Sequence, residues 1–326
     1  MPPRPEPEAL RLSCVMPAYN EALNLPTVVP QVMQALHGLA AQVELILVND
    51  GSRDATAEVA RQLCAQVPGV VLLDLSRNFG KEAALTAGLQ ATTGDVVVLM
   101  DADGQHPTDL LPVMLQHWRE GMDVVYAVRR TRDDQSALHG HLTGWFYKLV
   151  NWGSRFEIPA NAGDFRLMDR RAVDALNALP ERNRFMKGLY AWVGFPSLAV
   201  DYVPLPRQGG QSAFGLRGAF SLAMTGMLAF STVPLRLMTL FGLLLALSAV
   251  AYGVWVIGEY FLLGNRVPGY PTIVVSVMFF SGIQLFSLGV LAAYVGRIYE
   301  EVKQRPTYWI KERHGQGLPT AGDTPS

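Results

Sequence analysis

Two stretches near the C-terminus constrain this chain more than any other feature. Leu237–Gly258 runs for 22 residues and Ile273–Val295 for 23 without a charged side chain. At 1.5 Å of rise per residue each helix would span roughly 33 Å, against about 30 Å for the hydrocarbon core of a bilayer. Helices buried in soluble proteins are rarely that long and apolar all round. The pair therefore reads as two transmembrane helices, at 233–262 and 270–297. Pro268, Gly269 and Pro271 lie in the short connection, which makes a hairpin. Arg236 flanks the first span, and Arg297, Lys303, Arg305 and Lys311 follow the second, whereas Arg266 is the only cation between them. Cationic flanks stay in the cytoplasm, so both termini, the tail at 298–326 and everything before the hairpin are expected there.

The part before the hairpin is patterned differently. Leu12–Met16, Glu44–Val48, Val70–Leu73, Val96–Met100 and Val124–Ala127 are short, strand-like apolar runs. Between them Leu23–Leu36, Ala55–Ala65, Lys81–Ala91 and Leu110–Trp118 carry helical spacing. Continuous apolar strands separated by helices predict an α/β domain, a mostly parallel sheet with helices on both faces. Ligands bind such sheets outside the carboxyl ends of the strands. The polar sets Pro17–Glu21, Asn49–Asp54 and Asp101–His106 each follow a strand, so they should share one edge and one site.

Flanking segments are less informative. Ser136–Phe156 puts Leu142, Trp145, Phe146, Leu149 and Trp152 along one helical face; 136–156 reads either as a core-facing helix or as one lying at a membrane surface. Phe214–Phe230, with Arg217 its only charge, raises the same question, and 213–232 is assigned to the membrane interface. Residues 1–10, rich in proline, and Gly315–Ser326, rich in Gly, Pro and Thr, read as disordered. Cys14 and Cys64 are the only cysteines, which argues against a disulfide framework or a zinc site. A net charge of −1 gives no global surface for nucleic acid.

The sharpest chemical signal is Asp101-Ala102-Asp103-Gly104-Gln105-His106 after the fourth strand. Positions i and i+2 of an extended chain project to one side. Asp101 and Asp103 can therefore converge on a hard divalent cation, and Gln105 can add a neutral oxygen. Taken alone, Asp-x-Asp is more often an acidic turn. In the first polar set Tyr19 can stack on a base and Glu21 can accept hydrogen bonds. Asp50 sits where it could accept from a base or ribose, and Asp54 reads as the N-cap of the following helix. Lys81, near a helix start, suits an anionic ligand or stands as a solvated surface residue. Neither a P-loop nor a dinucleotide fingerprint is present.

Together these sets resemble the A-type nucleotide-sugar glycosyltransferases of family two. Ala162-Gly163-Asp164-Phe165-Arg166-Leu167-Met168, Arg184-Phe185-Met186-Lys187-Gly188-Leu189 and Arg207-x-x-Gly210-x-Ser212 narrow the resemblance to the polyprenyl-phosphate glycosyltransferases. That group includes dolichyl-phosphate mannose synthases and bacterial undecaprenyl-phosphate glucosyltransferases. The resemblance covers about Leu12 to Trp309, and the hairpin is similar to the bacterial type. No Q-x-x-R-W occurs, unlike in the processive polysaccharide synthases.

The resemblance implies a GT-A-type catalytic domain at 11–212 on the cytosolic face of the inner membrane. Its implied reaction is inverting transfer of a hexose, best UDP-glucose, to undecaprenyl phosphate for cell-envelope glycans such as lipopolysaccharide. Pro17, Ala18, Tyr19, Asn20, Glu21, Asp50, Lys81, Asp101, Ala102, Asp103 and Arg207 would bind the nucleotide sugar. Asp101, Asp103 and Gln105 would hold Mg²⁺ or Mn²⁺, and Asp103 and Asp164 would be catalytic. Arg129, Arg130, Arg132 and Ser212 would hold the acceptor phosphate, arginine being suited to bidentate phosphate contact. Asp164 invites assignment as a general base, but a phosphate monoester is already largely dianionic at neutral pH; a positioning role is the preferred expectation. A homo-oligomer, plausibly a tetramer, is expected. The rival expectations are another donor (a UDP-N-acetylhexosamine, a UDP-linked modified arabinose or GDP-mannose), transfer to a glycan or diacylglycerol, and a catalytically inert membrane scaffold.

Overall fold

The computed structural model describes residues 4–130, 162–182, 184–205, 233–263 and 269–319. The segments 136–156 and 213–232, read above as interfacial, lie outside the described residues. Strands β1 (Arg11–Ala18), β2 (Gln42–Asn49), β3 (Val70–Leu75), β4 (Val96–Leu99) and β5 (Val124–Arg129) alternate with α1 (Leu25–His37), α2 (Thr56–Gln66), α3 (Lys81–Ala91) and α4 (Leu110–Arg119). Then come β6 (Ala162–Asp169), α5 (Arg170–Ala178), α6 (Met186–Trp192) and β7 (Ser197–Tyr202). Helices α7 (Val233–Leu263) and α8 (Tyr270–Lys303) precede a final strand, β8 (Ile310–His314).

The strands form one sheet in the order β7-β5-β6-β4-β1-β2-β3-β8. β1 runs parallel to β2 and β4, β2 to β3, and β5 to β7. β6 is antiparallel to both β4 and β5, and β8 is antiparallel to β3. Alternate side chains of one strand enter opposite cores. Cys14 and Met16, Leu45 and Leu47, and Val96 and Val98 pack with Met114, Trp118 and Phe165 on one face. Val15, Ile46, Val97 and Leu99 pack with Leu85, Val173 and Leu189 on the other. Both faces are covered, so the strands need no polar alternation.

β6 brings the second part of the domain to the site. Its register pairs Leu99 with Arg166 and Val98 with Leu167. Extending that antiparallel count by two residues sets Asp164 opposite Asp101, just past the carboxyl end of β4. Asp101 shares the alternation face of Leu99, which belongs to the core beneath α3.

Both expected disordered ends differ in part from the structure. Arg4 donates to Asp123 at 3.0 Å and stacks over the Trp118 ring at 4.7 Å. After α8 the chain returns to pair β8 with β3, and the Leu318 N–H donates to the buried Glu44 carboxylate at 2.8 Å. Gly317 sits so close to Glu44 that a Cβ there would lie 2.3 Å from Oε2. Composition of the ends misled because their partners lie far away in sequence. Helices α7 and α8 are long and apolar enough to cross a membrane, and their spans Met238–Trp255 and Ser276–Lys303 are not buried within the structure.

Candidate active site

The loops after β1 and β2 are sewn together. Asn20 adopts φ 58°, a left-handed conformation that Asn tolerates better than most residues. Its N–H donates to Ser52 Oγ at 2.9 Å, while its Oδ1 accepts from the Arg53 N–H at 2.8 Å. The Glu21 N–H donates to Thr56 Oγ1 at 2.9 Å. Asp54 accepts from the Thr56 N–H at 3.0 Å, acting one residue before the N-cap position, which Ala55 occupies. Pro17 and Ala18 close β1 against Val48 and Asn49, and Tyr19 is half-buried beside them.

Asp50, expected to hold the nucleoside, also has a structural part. Its two oxygens accept the Phe79 and Gly80 N–H groups at 2.7 and 2.9 Å, so it builds the loop that starts α3. Burial pushes its carboxyl up, against the pull of those bonds and of Arg77. Gly51, at φ +59°, packs against that loop so tightly that a Cβ would lie 2.3 Å from the Arg77 carbonyl carbon.

Lys81 is the hub. Its ammonium lies 2.7 Å from Asp101 Oδ1 and 2.7 Å from Asp164 Oδ2, joining the carboxylates that the β4–β6 register sets opposite one another. Burial alone would lower the Lys81 pKa; the charges of Asp164 and Asp101 outweigh it and hold the group well above the usual lysine range. Burial would raise the Asp164 carboxyl, but Lys81, Lys187 and Arg166 hold it far below the usual range. Asp164 is thus an anion at any physiological pH and a weak proton acceptor. Glu82, the next residue of α3, is pushed up to about 7, first by burial and then by the Asp164 charge.

Asp103 Oδ1 accepts the Gln105 N–H at 3.0 Å. Ala102 is buried between the two aspartates. Gln105, the third expected metal ligand, accepts on its Oε1 from Arg129 Nη2 at 3.1 Å. That bond carries Arg129, one of the expected acceptor ligands, to the Asp101–Gln105 loop. Arg130 is anchored through its backbone N–H to the Tyr202 carbonyl at 3.0 Å. Arg132, Arg207 and Ser212 lie outside the described residues.

Among the described residues no three His, Cys, Asp or Glu side chains cluster as a metal site. The donor set nevertheless suits a hard cation, which commonly takes one or two carboxylates and completes its shell with water and substrate phosphate. Asp101 and Asp103 are the residues placed to supply those carboxylates.

Several residues of this site carry roles that the sequence did not suggest. His106 is buried, accepts the Asp101 N–H on Nδ1 at 3.0 Å, and stacks on Phe165 with ring centroids 4.6 Å apart. Burial lowers its pKa against the pull of Asp101 and Asp103, so the neutral ring ties the β4 loop to β6. Arg166 donates to the Gly163 carbonyl at 2.7 Å and lies 3.4 Å from the Tyr190 ring centroid. A histidine after Asp-x-Asp-Gly-Gln was visible, but its stacking partner depends on a non-local register.

The model of the family described as glycosyl transferase family 2 matches residues 13–176. The chain belongs to that family. It is 43% identical over 304 residues to the bactoprenol glucosyl transferase of Shigella phage SfX, covering 93% of this chain and 100% of that protein. A prophage bactoprenol glucosyl transferase homolog of Escherichia coli K12 is 42% identical over 302 residues, covering 93% and 99%. Matches of that extent leave too few residues outside them to omit either apolar helix. Among solved structures, the Mycobacterium tuberculosis glucosyl-3-phosphoglycerate synthase in complex with Mn²⁺, UDP and glucosyl-3-phosphoglycerate is similar at 20% identity and a TM-score of 0.47, over 68% of this chain and 78% of that one. The chain is a glycosyltransferase of this family with a GT-A-like mixed, mostly parallel sheet and two long apolar C-terminal helices.

Proposed function

We propose that this family 2 glycosyltransferase moves glucose from UDP-glucose to undecaprenyl phosphate at the cytosolic face of the inner membrane. The observation that carries the reading is the end-to-end likeness, apolar hairpin included, to proteins described as bactoprenol glucosyl transferases. The nucleoside would lie on the sewn loops of Tyr19–Glu21 and Asp50–Ser52, with Arg207 over the diphosphate. Asp101 and Asp103 would hold Mg²⁺ or Mn²⁺, which supplies charge neutralisation for the departing diphosphate.

In this mechanism Arg129, with Arg130, Arg132 and Ser212, grips the acceptor phosphate, and its bond to Gln105 sets that phosphate beside the donor. The phosphate has a second pKa near 6, so at neutral pH it attacks largely as a dianion. Asp164 then has little need to take a proton, and its low pKa makes it a poor base at pH 7. Its role is to orient the sugar, held by Lys81. In-line attack on an α-linked donor would give a β-linked lipid-phosphate glucose.

Pairing of β8 with β3 ties the chain after α8 to the catalytic sheet that precedes α7. This supports a hairpin with both ends on one side, and the cationic flanks favour the cytosol. The test is purified full-length protein in detergent with undecaprenyl phosphate, a divalent ion and a panel of nucleotide sugars. The reading expects one lipid product, formed with UDP-glucose. A different donor would correct the sugar, and a panel without turnover would favour an inert scaffold.

A further inference from the structure

The run Arg184-Phe185-Met186-Lys187-Gly188-Leu189 has no role in the transfer as described so far. It opens α6, and Phe185, Met186, Gly188 and Leu189 are buried, whereas Lys187 is only half-buried. The helix is pinned to the site at two points. Glu82 Oε2 accepts the Met186 N–H at 3.0 Å, and Glu82 is the neighbour of Lys81, whose ammonium joins Asp101 and Asp164. One turn further, the Tyr190 ring lies 3.4 Å from the Arg166 guanidinium, which itself holds the carbonyl of Gly163, the residue before Asp164. Tyr190 neighbours both Lys187, three residues before it, and Met186, four residues before it, on the helix surface. Lys187 therefore follows directly on the residue that Glu82 holds and precedes the one that Arg166 holds.

Its charge acts on Asp164 and on Glu82 and favours the ionised form of each. Yet among the described residues no carboxylate lies within ion-pair distance of Lys187, while Lys81 already takes Asp164 at 2.7 Å. Two polar atoms of the same corner, Arg166 Nε and Tyr190 Oη, are buried without a hydrogen-bond partner among the described residues. Buried polar groups are almost always satisfied, by protein, water or ligand. A half-buried ammonium whose charge reaches Asp164 and Glu82, with no carboxylate at ion-pair distance among the described residues, suits an anionic substrate.

We propose that Lys187 binds a phosphate group of the substrates, with Glu82 as the residue that positions it. The proposal rests on the transfer reading above for the identity of those substrates. The shared chemistry is a phosphate oxygen, either of the donor's diphosphate or of the acceptor's monophosphate. Binding assays separate the two sources and do not depend on turnover. In detergent, full-length Lys187→Met and Lys187→Arg are titrated with UDP in one arm and with undecaprenyl phosphate in the other.

A hydrogen bond to a charged group predicts at least about a tenfold loss of affinity for Lys187→Met in one arm. Lys187→Arg, which keeps the charge, should recover most of it. Glu82→Ala should weaken the same arm through loss of the Met186 anchor. Affinities within twofold of wild type in both arms for Lys187→Met would overturn the proposal, as would a loss that Lys187→Arg does not recover. If wild type transfers no glucose to undecaprenyl phosphate, the functional reading fails, and the binding arms still judge Lys187 on its own.

Discussion

Glu82 offers a test in which sign and size both follow from the site. Its carboxyl is pushed up to about 7 from an ordinary value of 4.5, first by burial and then by Asp164. Below pH 4.5 the group is protonated folded or unfolded and has no effect on stability. Between 4.5 and 7 the unfolded chain releases this proton while the folded one keeps it, so stability falls as pH rises. Above 7 the loss is complete. At about 1.4 kcal/mol per tenfold difference in proton affinity the full penalty is about 3 kcal/mol. Solvent reaching the half-buried carboxyl reduces this to about 1–3 kcal/mol.

Glu82→Gln removes the charge and keeps an oxygen for the Met186 N–H. The variant should match wild type near pH 4.5 and exceed it by that amount at pH 8. For a domain of this size that is a gain of about 3–10 °C in thermal midpoint. The assay is thermal unfolding of both full-length proteins in detergent across pH 4.5–8.5. A gap that stays constant with pH, or that closes as pH rises, would refute the argument.

Other perturbations test the catalytic assignments. Asp103→Ala should abolish turnover, and excess EDTA should do the same to wild type; full activity in EDTA would remove the metal role from Asp101 and Asp103. Asp164→Asn should keep measurable single-turnover chemistry at saturating substrates, and a step slowed more than about 10⁴-fold with donor affinity intact would make Asp164 a general base after all. Asn265→Cys should react with an impermeant thiol reagent outside intact cells and Gln316→Cys only after lysis; the reverse pattern would invert the topology.

Local pattern carried the first part of the fold. Five strands and four helices before Arg130 fall within a few residues of their expected bounds, because each is a short apolar run or an amphipathic helix closed by its own loop. The second part depends on pairing at a distance. Nothing local in Gly163-Asp164-Phe165 says that β6 enters antiparallel between β4 and β5, yet that register sets Asp164 against Asp101 and within reach of Lys81. Ile310-Lys311-Glu312-Arg313-His314 falls in the stretch expected only as a cytosolic tail, and pairing with the edge of β3 makes it a strand. The same limit applies to Asp50, whose position at a strand end was legible while its two amide partners, 29 and 30 residues away, were not.

The central claim is that the acceptor is a polyprenyl phosphate whose own oxygen attacks the sugar. It is tested most directly by following radiolabelled glucose from UDP-glucose into the lipid phase with one acceptor at a time. Undecaprenyl phosphate should be labelled in a metal-dependent manner, while undecaprenol, which lacks the attacking phosphate, and diacylglycerol should remain unlabelled. Equal labelling of undecaprenol or diacylglycerol, or labelling with no added acceptor phosphate, would contradict the account.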